Sequence, residues 1–196
     1  MLALDADYLL TPQLVEELKS LKPEPGTRGY RARFVYCVNG KPLRGSAYPP
    51  VTVLYRRAGA GYIQDGHTQR VEVDGEVRDL QSPIRHDDRK PLAHWVRAQS
   101  RYMKLEAEKL DRADFSQLGW ADRLRKLRLF APFLMFLYCL FGRGVILNGR
   151  VGIYYALQRT FAEFMLSLYL FERSLNMKRA QRGAERAQDK VLEINP

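Results

Sequence analysis

Apolar and polar positions along the chain fall into two regimes that meet near residue 88. Before it, apolar residues come in short runs of strand type. Met1-Leu2-Ala3-Leu4 is such a run, and it stops at Asp5-Ala6-Asp7. Thr11-Pro12 reads as an N-cap and first helical position: the threonine oxygen can accept from an orphan N–H, and proline needs no donor there. Leu14, Val15, Leu18 and Leu21 share the face of a short helix that Lys22-Pro23-Glu24-Pro25-Gly26 ends. Tyr30, Ala32, Phe34, Tyr36 and Val38 then alternate with Arg31, Arg33, Val35 and Cys37 and run into Asn39-Gly40, a strong hairpin signal. Val51–Tyr55 is a further strand. Val71-Glu72-Val73, Asp74-Gly75 and Glu76-Val77 read as another hairpin. The expectation is a set of antiparallel elements grafted onto whatever sheet residues 2–5 join.

After residue 88 the period changes to that of helices. Leu92, Trp95, Gln99, Tyr102, Leu105 and Leu110 recur at helical spacing, and residues 111–119 read as a loop. Residues 129–141 carry no charge, Gly142-Arg143-Gly144 interrupts, and residues 151–171 hold only Gln158, Arg159 and Glu163 as strongly polar members. From Met177 the chain is polar and basic, a tail expected to fray or be disordered.

Composition narrows the classes. In 196 residues, 46% hydrophobic is enough for a packed core, which excludes wholesale disorder. Two distant cysteines, Cys37 and Cys139, exclude a disulfide framework and suit a reducing compartment. A net charge of +10 favours anionic partners. Nucleic acid ranks last among these, because the basic residues gather around apolar helices rather than on a nucleic-acid motif.

Three clusters could carry chemistry. Asp5 and Asp7, at i and i+2 by a strand end, would point the same way and could share a hard divalent cation. The plainer possibility is that they cap the turn into the Thr11 helix. Asp65-Gly66-His67 offers an acid and an imidazole on a glycine loop, suited to a general base or to an ordinary turn. The densest cluster is Ile84-Arg85-His86-Asp87-Asp88-Arg89-Lys90-Pro91. One of Asp87 and Asp88 reads as a helix N-cap with Pro91 in the first turn. His86 can be a metal ligand through its neutral imidazole, and Arg85, Arg89 and Lys90 can hold phosphate. A solvated charge cluster is the simpler alternative. Cys37 and Cys139 read as small apolar fillers.

In this order, these pieces resemble bacterial family-2 glycosyltransferases of the GT-A fold. Leu2-Ala3-Leu4-Asp5-Ala6-Asp7-Tyr8-Leu9-Leu10 looks like their D-x-D segment, followed by residues 30–38, Pro49-Pro50, Val53-Leu54-Tyr55-Arg56-Arg57, Asp65-Gly66-His67 and His86-Asp87-Asp88-Arg89-Lys90-Pro91. The likeness covers about residues 2–175 and is closest to the group that builds cell-wall polysaccharide and lipopolysaccharide core. It implies an α/β fold: a partial GT-A-like sheet with antiparallel hairpins, followed by C-terminal amphipathic or apolar helices. It also implies transfer of a sugar from a nucleotide-sugar to an acceptor hydroxyl, with a divalent metal, Mg or Mn. Carried across, Asp7 is the direct metal ligand, Asp5 contacts the metal or nucleotide, and His86 is a third ligand. Asp65 stands where the family keeps its acidic base, with His67 as competitor. Arg85, Asp87, Asp88, Arg89 and Lys90 are expected on the substrate.

In that family nucleotide-binding βα units precede the D-x-D segment, whereas four residues precede Asp5 here. The expectation is that this chain alone is inactive, a fragment, mis-started frame or split protein whose missing half a partner chain could supply. The expected division is a C-terminal GT-A-like half over 1–111, an apolar helical hairpin over 120–175 and a basic tail over 176–196. Residues 129–141 are short for a bilayer at about 1.5 Å per residue. Arg123, Arg125, Lys126 and Arg128 precede them, and Lys178, Arg179, Arg182 and Arg186 follow the second stretch. Such basic flanks suggest an interfacial or re-entrant anchor on an anionic membrane surface. The place implied is the cytoplasmic face of the cell membrane, or the cytoplasm, with a lipid-linked glycan as acceptor. The competing class is a non-catalytic membrane-binding or interaction module derived from such an enzyme.

Overall fold

The computed structural model of the chain describes residues 1–87 and 89–194; of the last helix it describes side chains to residue 180 and at 182. Asp88, Arg186 and the tail's side chains beyond residue 182 therefore lie outside the described residues. The fold is mixed α/β, with three small sheets followed by helices.

The first sheet orders its strands β1 (Tyr8–Leu10), β9 (Ile84–Asp87), β3 (Phe34–Val38) and β4 (Lys41–Pro42). β9 is antiparallel to β1 and parallel to β3, so His86 lies between Tyr8 and Tyr36 in register. The Asn39-Gly40 signal holds: both residues take positive φ, and Val38 pairs with Lys41 across them. The second sheet centres on β2 (Thr27–Ala32), antiparallel to β5 (Val51–Tyr55) and parallel to β8 (Glu76–Asp79). The third is the two-stranded ribbon of β6 (Ala60–Asp65) and β7 (Thr68–Val73).

Two sequence expectations change here, and one becomes specific. The hairpin read over residues 71–77 is absent, because β7 already pairs with β6 and β8 finds its partner in β2. Asp74-Gly75 instead hands the chain from one sheet to another. The sheet that the opening apolar run is expected to join is the second one: Met1, Leu2 and Ala3 run antiparallel along β5, with Ala3 N–H donating to Val53 and Tyr55 N–H to Met1. Finally, Asp5-Ala6-Asp7 is not extended. Tyr8 N–H donates to the Asp5 carbonyl, closing a turn over residues 5–8 that removes the strand rule placing i and i+2 on one side.

Helix α1 (Pro12–Ser20) starts as expected, with Thr11 Oγ1 accepting from Leu14 N–H, and its Leu14 enters a core with Tyr30, Ala32, Val53, Leu80 and Ile84. Helix α2 (Leu92–Arg112) packs Trp95, Met103, Ala107 and Leu110 against Ala162, Leu166 and Leu170 of α5 (Gly149–Ile194). Between them come a 3-10 turn, α3 (Trp120–Lys126) and α4 (Ala131–Leu137). Helix α4 runs on into a π-helical turn, Tyr138–Gly142, and the chain then reverses through Val145–Asn148. Gly152 makes the reversal possible: a β-carbon there would strike the Val145 carbonyl. This reversal packs Cys139, Leu140, Val145, Tyr155 and Ala156 against Val38 and Leu43, joining the helices to the first sheet. The tail expected to fray is an extension of α5 to Ile194, consistent with its Ala, Glu, Gln, Lys and Arg content.

Candidate functional site

The D-x-D turn and the His-Asp-Asp-Arg-Lys segment meet because β1 pairs with β9. Asp87 N–H donates to the Asp7 carbonyl at 3.2 Å, fixing the two strand ends side by side. Asp7 Oδ2 then receives Lys90 Nζ at 3.1 Å and lies 3.5 Å from His86 Nε2. Asp7 and Lys90 border an open depression of about 590 Å³ that Leu9, Arg89 and Pro91 also line, while His86 lies behind Asp7 and outside that lining.

His86 is buried in an aromatic enclosure. The rings of Tyr8, Tyr36 and Tyr48 lie 5.4, 4.9 and 4.8 Å from its own, and Tyr8 and Tyr48 share a 2.6 Å hydroxyl hydrogen bond. Burial pushes the Tyr8 and Tyr48 hydroxyls above the ordinary tyrosine value, and the Asp5 carboxylate adds to this for both, so they remain neutral donors. His86 Nδ1 is buried without a hydrogen-bond partner among the described residues. The ring is thus held by edge-on and tilted aromatic contacts and offers Nε2 toward Asp7.

Asp87 is spent on the fold. Its carboxylate accepts from Gly40 N–H at 3.0 Å and from Arg89 Nε at 2.6 Å. Burial would raise its pKa, but those two donors and nearby His86 hold it below the ordinary aspartate value. It is not the helix cap either: Pro91 occupies the N-cap position of α2, without a side-chain cap. Arg85, next along β9, is exposed, between buried Ile84 and His86.

Asp65 and His67 belong to a second polar cluster. Gly66-His67 is the turn of the β6–β7 ribbon, with Asp65 opposite Thr68 and Gly66 at φ +59°. Asp65 binds Lys109 Nζ at 2.6 Å and Arg70 Nε at 2.7 Å. His67 stacks on Tyr102 and sets Nδ1 2.7 Å from Glu106 Oε1, which also accepts the His67 N–H. Burial would raise the Glu106 carboxyl, but these hydrogen bonds and Lys109 keep it below the ordinary glutamate value. An ionised carboxylate only accepts, so Nδ1 carries a proton toward Glu106 and Nε2 is the ring nitrogen left outside that contact. The cluster continues from Lys109 to Asp122 and through Arg125 to buried Glu163 of α5. Among the described residues, no hydrogen bond, ion pair or ring contact shown joins Asp65 or His67 to Asp7 or His86.

Glu106 escapes sequence reasoning that looks only for motifs. The signal was present: it is the one acid buried among Met103, Ala107 and Leu110 on the inner face of α2. Tyr36 and Tyr48 were equally hidden, since no spacing ties either to His86.

Among the described residues, no group of three or more His, Cys, Asp or Glu is gathered tightly enough to hold a metal ion. Asp7 and His86 supply two donors, while the Asp5 carboxylate bears on the Tyr8 hydroxyl instead. A hard cation such as Mg commonly takes one or two protein donors and completes its shell with water and phosphate. The expected Asp5–Asp7–His86 cage is therefore not assembled among the described residues, and a metal on Asp7 and His86 would have to share the Asp7 oxygen that Lys90 approaches. No protein-family model, curated protein or solved structure matches the chain.

Proposed function

We propose that the chain is the D-x-D-bearing part of a glycosyltransferase that acts in cell-envelope polysaccharide or lipopolysaccharide assembly. The observation that carries this reading is the meeting of Lys90 with Asp7 across 83 residues of sequence, beside His86 and an open depression. An acid, an imidazole and two cations at one edge suit the diphosphate of a nucleotide-sugar.

In such a transfer a bond forms between the acceptor oxygen and the anomeric carbon. The bond from that carbon to the diphosphate breaks, and the hydroxyl proton passes to a base. Charge then builds on the departing diphosphate, where Lys90 and Arg89 would stabilise it. A divalent metal held by Asp7 and His86 would supply further neutralisation of that charge. Of the two base candidates, His67 is the better prepared: Glu106 orients its ring through Nδ1, so that in the neutral imidazole Nε2 is the nitrogen that would accept a proton. Asp65 is already held by two cations. The acceptor we favour is a lipid-linked glycan at the cytoplasmic face of the cell membrane.

The non-catalytic alternative draws on a specific observation: both base candidates are engaged with α2 rather than with the Asp7 cluster. Manganese EPR with nucleoside diphosphates, followed by assay of nucleoside diphosphate release from nucleotide-sugars, separates the two. The expected result is Mn–diphosphate binding that Asp7→Asn abolishes, with release appearing once cell extract able to supply a partner chain is added and lost with the same change. Binding that never leads to release, even with extract and acceptor glycolipid, would favour the non-catalytic module. Absence of Mn–diphosphate binding would overturn the donor-site assignment.

A further inference from the structure

Helix α5 is apolar on two opposite faces. Gly152, Tyr155, Ala156, Ala162, Leu166 and Leu170 are buried against the rest of the protein. Ile153, Leu157, Phe161, Phe164, Leu168 and Leu175 recur at spacings of three, four or seven residues on the other side, and all are exposed. The row extends onto α4 and the reversal through Phe133, Leu137, Phe141 and Leu147. Phe141 is 65% exposed, Leu147 68% and Leu168 67%, values that a packed helical hairpin does not leave on such large side chains without a partner. At its far end the row meets an open groove of about 540 Å³ between α2 and α5 that includes Ser100, Leu168 and Leu175.

Charge selects the occupant. Between residues 123 and 182 the sequence holds two acids, Glu163 and Glu172, against eleven Lys and Arg. Glu163 is buried on the opposite face and paired with Arg125. Arg128 sits over the ring of Phe171, and Arg143, Arg150, Lys178 and Arg179 stand exposed near the ends of the row. A second copy would bring the same positive charge against this one. An anionic lipid surface offers the opposite charge and an apolar interior together.

Geometry selects the mode. Among the described residues no single helix is long and apolar enough to cross a membrane, and the pair Ala131–Gly142 and Val145–Ala180 meets at a 71° bend. The exposed row runs along α5 from residue 153 to 175, roughly 33 Å at 1.5 Å per residue. The other face of the helix is occupied by protein, including the Arg125–Glu163 pair. A broken span would carry the exposed Arg97, Arg101 and Lys104 of α2, which packs along that other face, into the hydrocarbon, so α5 fits the plane of the interface instead.

We propose that the outer face of α4, the reversal and α5 is a monotopic contact that seats the protein on an anionic bilayer, with α5 lying parallel to the surface. This proposal stands independently of the glycosyltransferase reading.

The test uses the full chain and vesicles of phosphatidylcholine alone or with phosphatidylglycerol. Sedimentation should carry the protein down with the anionic vesicles, and high salt should weaken but not abolish binding. Leu168→Glu and Phe141→Glu should each reduce vesicle affinity about tenfold, the worth of one buried large apolar side chain, with circular dichroism unchanged. Leu168→Cys carrying an environment-sensitive fluorophore should shift to the blue on vesicles, since Cys37 and Cys139 are buried and do not label. Binding that the glutamate variants leave intact would overturn the proposal. So would a dimer in vesicle-free buffer that the same variants dissociate, because a second copy would then be the occupant.

Discussion

Lys90 Nζ and His86 Nε2 approach the same oxygen of Asp7, at 3.1 and 3.5 Å. Lys90 is partly exposed and His86 is buried, so the carboxylate has one replaceable neighbour and one fixed neighbour. Lys90→Met removes the ammonium that would face a diphosphate and keeps most of the stem. Nucleoside diphosphate affinity should fall about tenfold, in keeping with one charge-assisted hydrogen bond. The melting temperature should stay nearly constant, because a half-exposed pair contributes little to stability. Calorimetric titration beside thermal unfolding checks both, and a melting temperature that falls with unchanged affinity would make Lys90 a structural residue.

Glu106 is the hinge of the second cluster. Glu106→Gln keeps the shape but replaces the charged acceptor of His67, and should cost about 1–3 kcal/mol at neutral pH. The sign of its pH dependence follows from the depressed pKa of the wild-type carboxyl. Such a group contributes stability above its unfolded pKa and loses it as pH falls through the lower, folded value. The gap between wild type and variant should therefore be widest near neutrality and close in acid. Urea unfolding at a series of pH values reads this directly. A gap that widens in acid would contradict an ionised Glu106.

Gly66 sits between the two base candidates with φ +59°, and a β-carbon there would meet the Glu106 carboxylate. Gly66→Ala should destabilise by about 1–2 kcal/mol from the backbone alone, and by more from the displaced acid. Combined with Glu106→Ala the effects should be less than additive, because removing the carboxylate relieves the clash. Additive losses in a double-mutant cycle would mean that the turn moves independently of α2.

The periodic parts of the fold were open to reading: Thr11 capping α1, Asn39-Gly40 turning β3 into β4, and the helical repeat from Leu92 to Leu110. Each depends on local backbone chemistry that neighbours in sequence supply. The hairpin expected at Asp74-Gly75 failed because turn residues say where a chain bends and not which strand it meets next. β8 bends and then pairs with β2, more than forty residues earlier. The site followed the same division. Asp7, His86, Arg89 and Lys90 were visible as charged residue types, and β1–β9 pairing brings them together. The Asp5–Asp7 pairing does not form because this segment is a turn, where strand alternation does not hold. Tyr36 and Tyr48 reach their positions through long-range packing that leaves no local trace, whereas Glu106 left one, its place on the helical face of Met103 and Leu110.

The last prediction concerns how the helices reach the site. Tyr155 on α5 is buried, accepts Ala47 N–H at 2.8 Å and places its ring 4.9 Å from that of Tyr36. Ala47 precedes Tyr48, whose ring covers His86. Tyr155→Phe leaves the ring in place but strands the Ala47 N–H, which should cost about 1–2 kcal/mol. Without that anchor the segment bearing Tyr48 is free to shift, and the enclosure of His86 loosens. The imidazole resonances of His86 should move in Tyr155→Phe, while those of His67 stay in place on Glu106. Nucleoside diphosphate affinity should fall with the His86 shift. Movement of both histidines would indicate general loosening, and movement of neither would show that α5 supports the sheet without shaping the site.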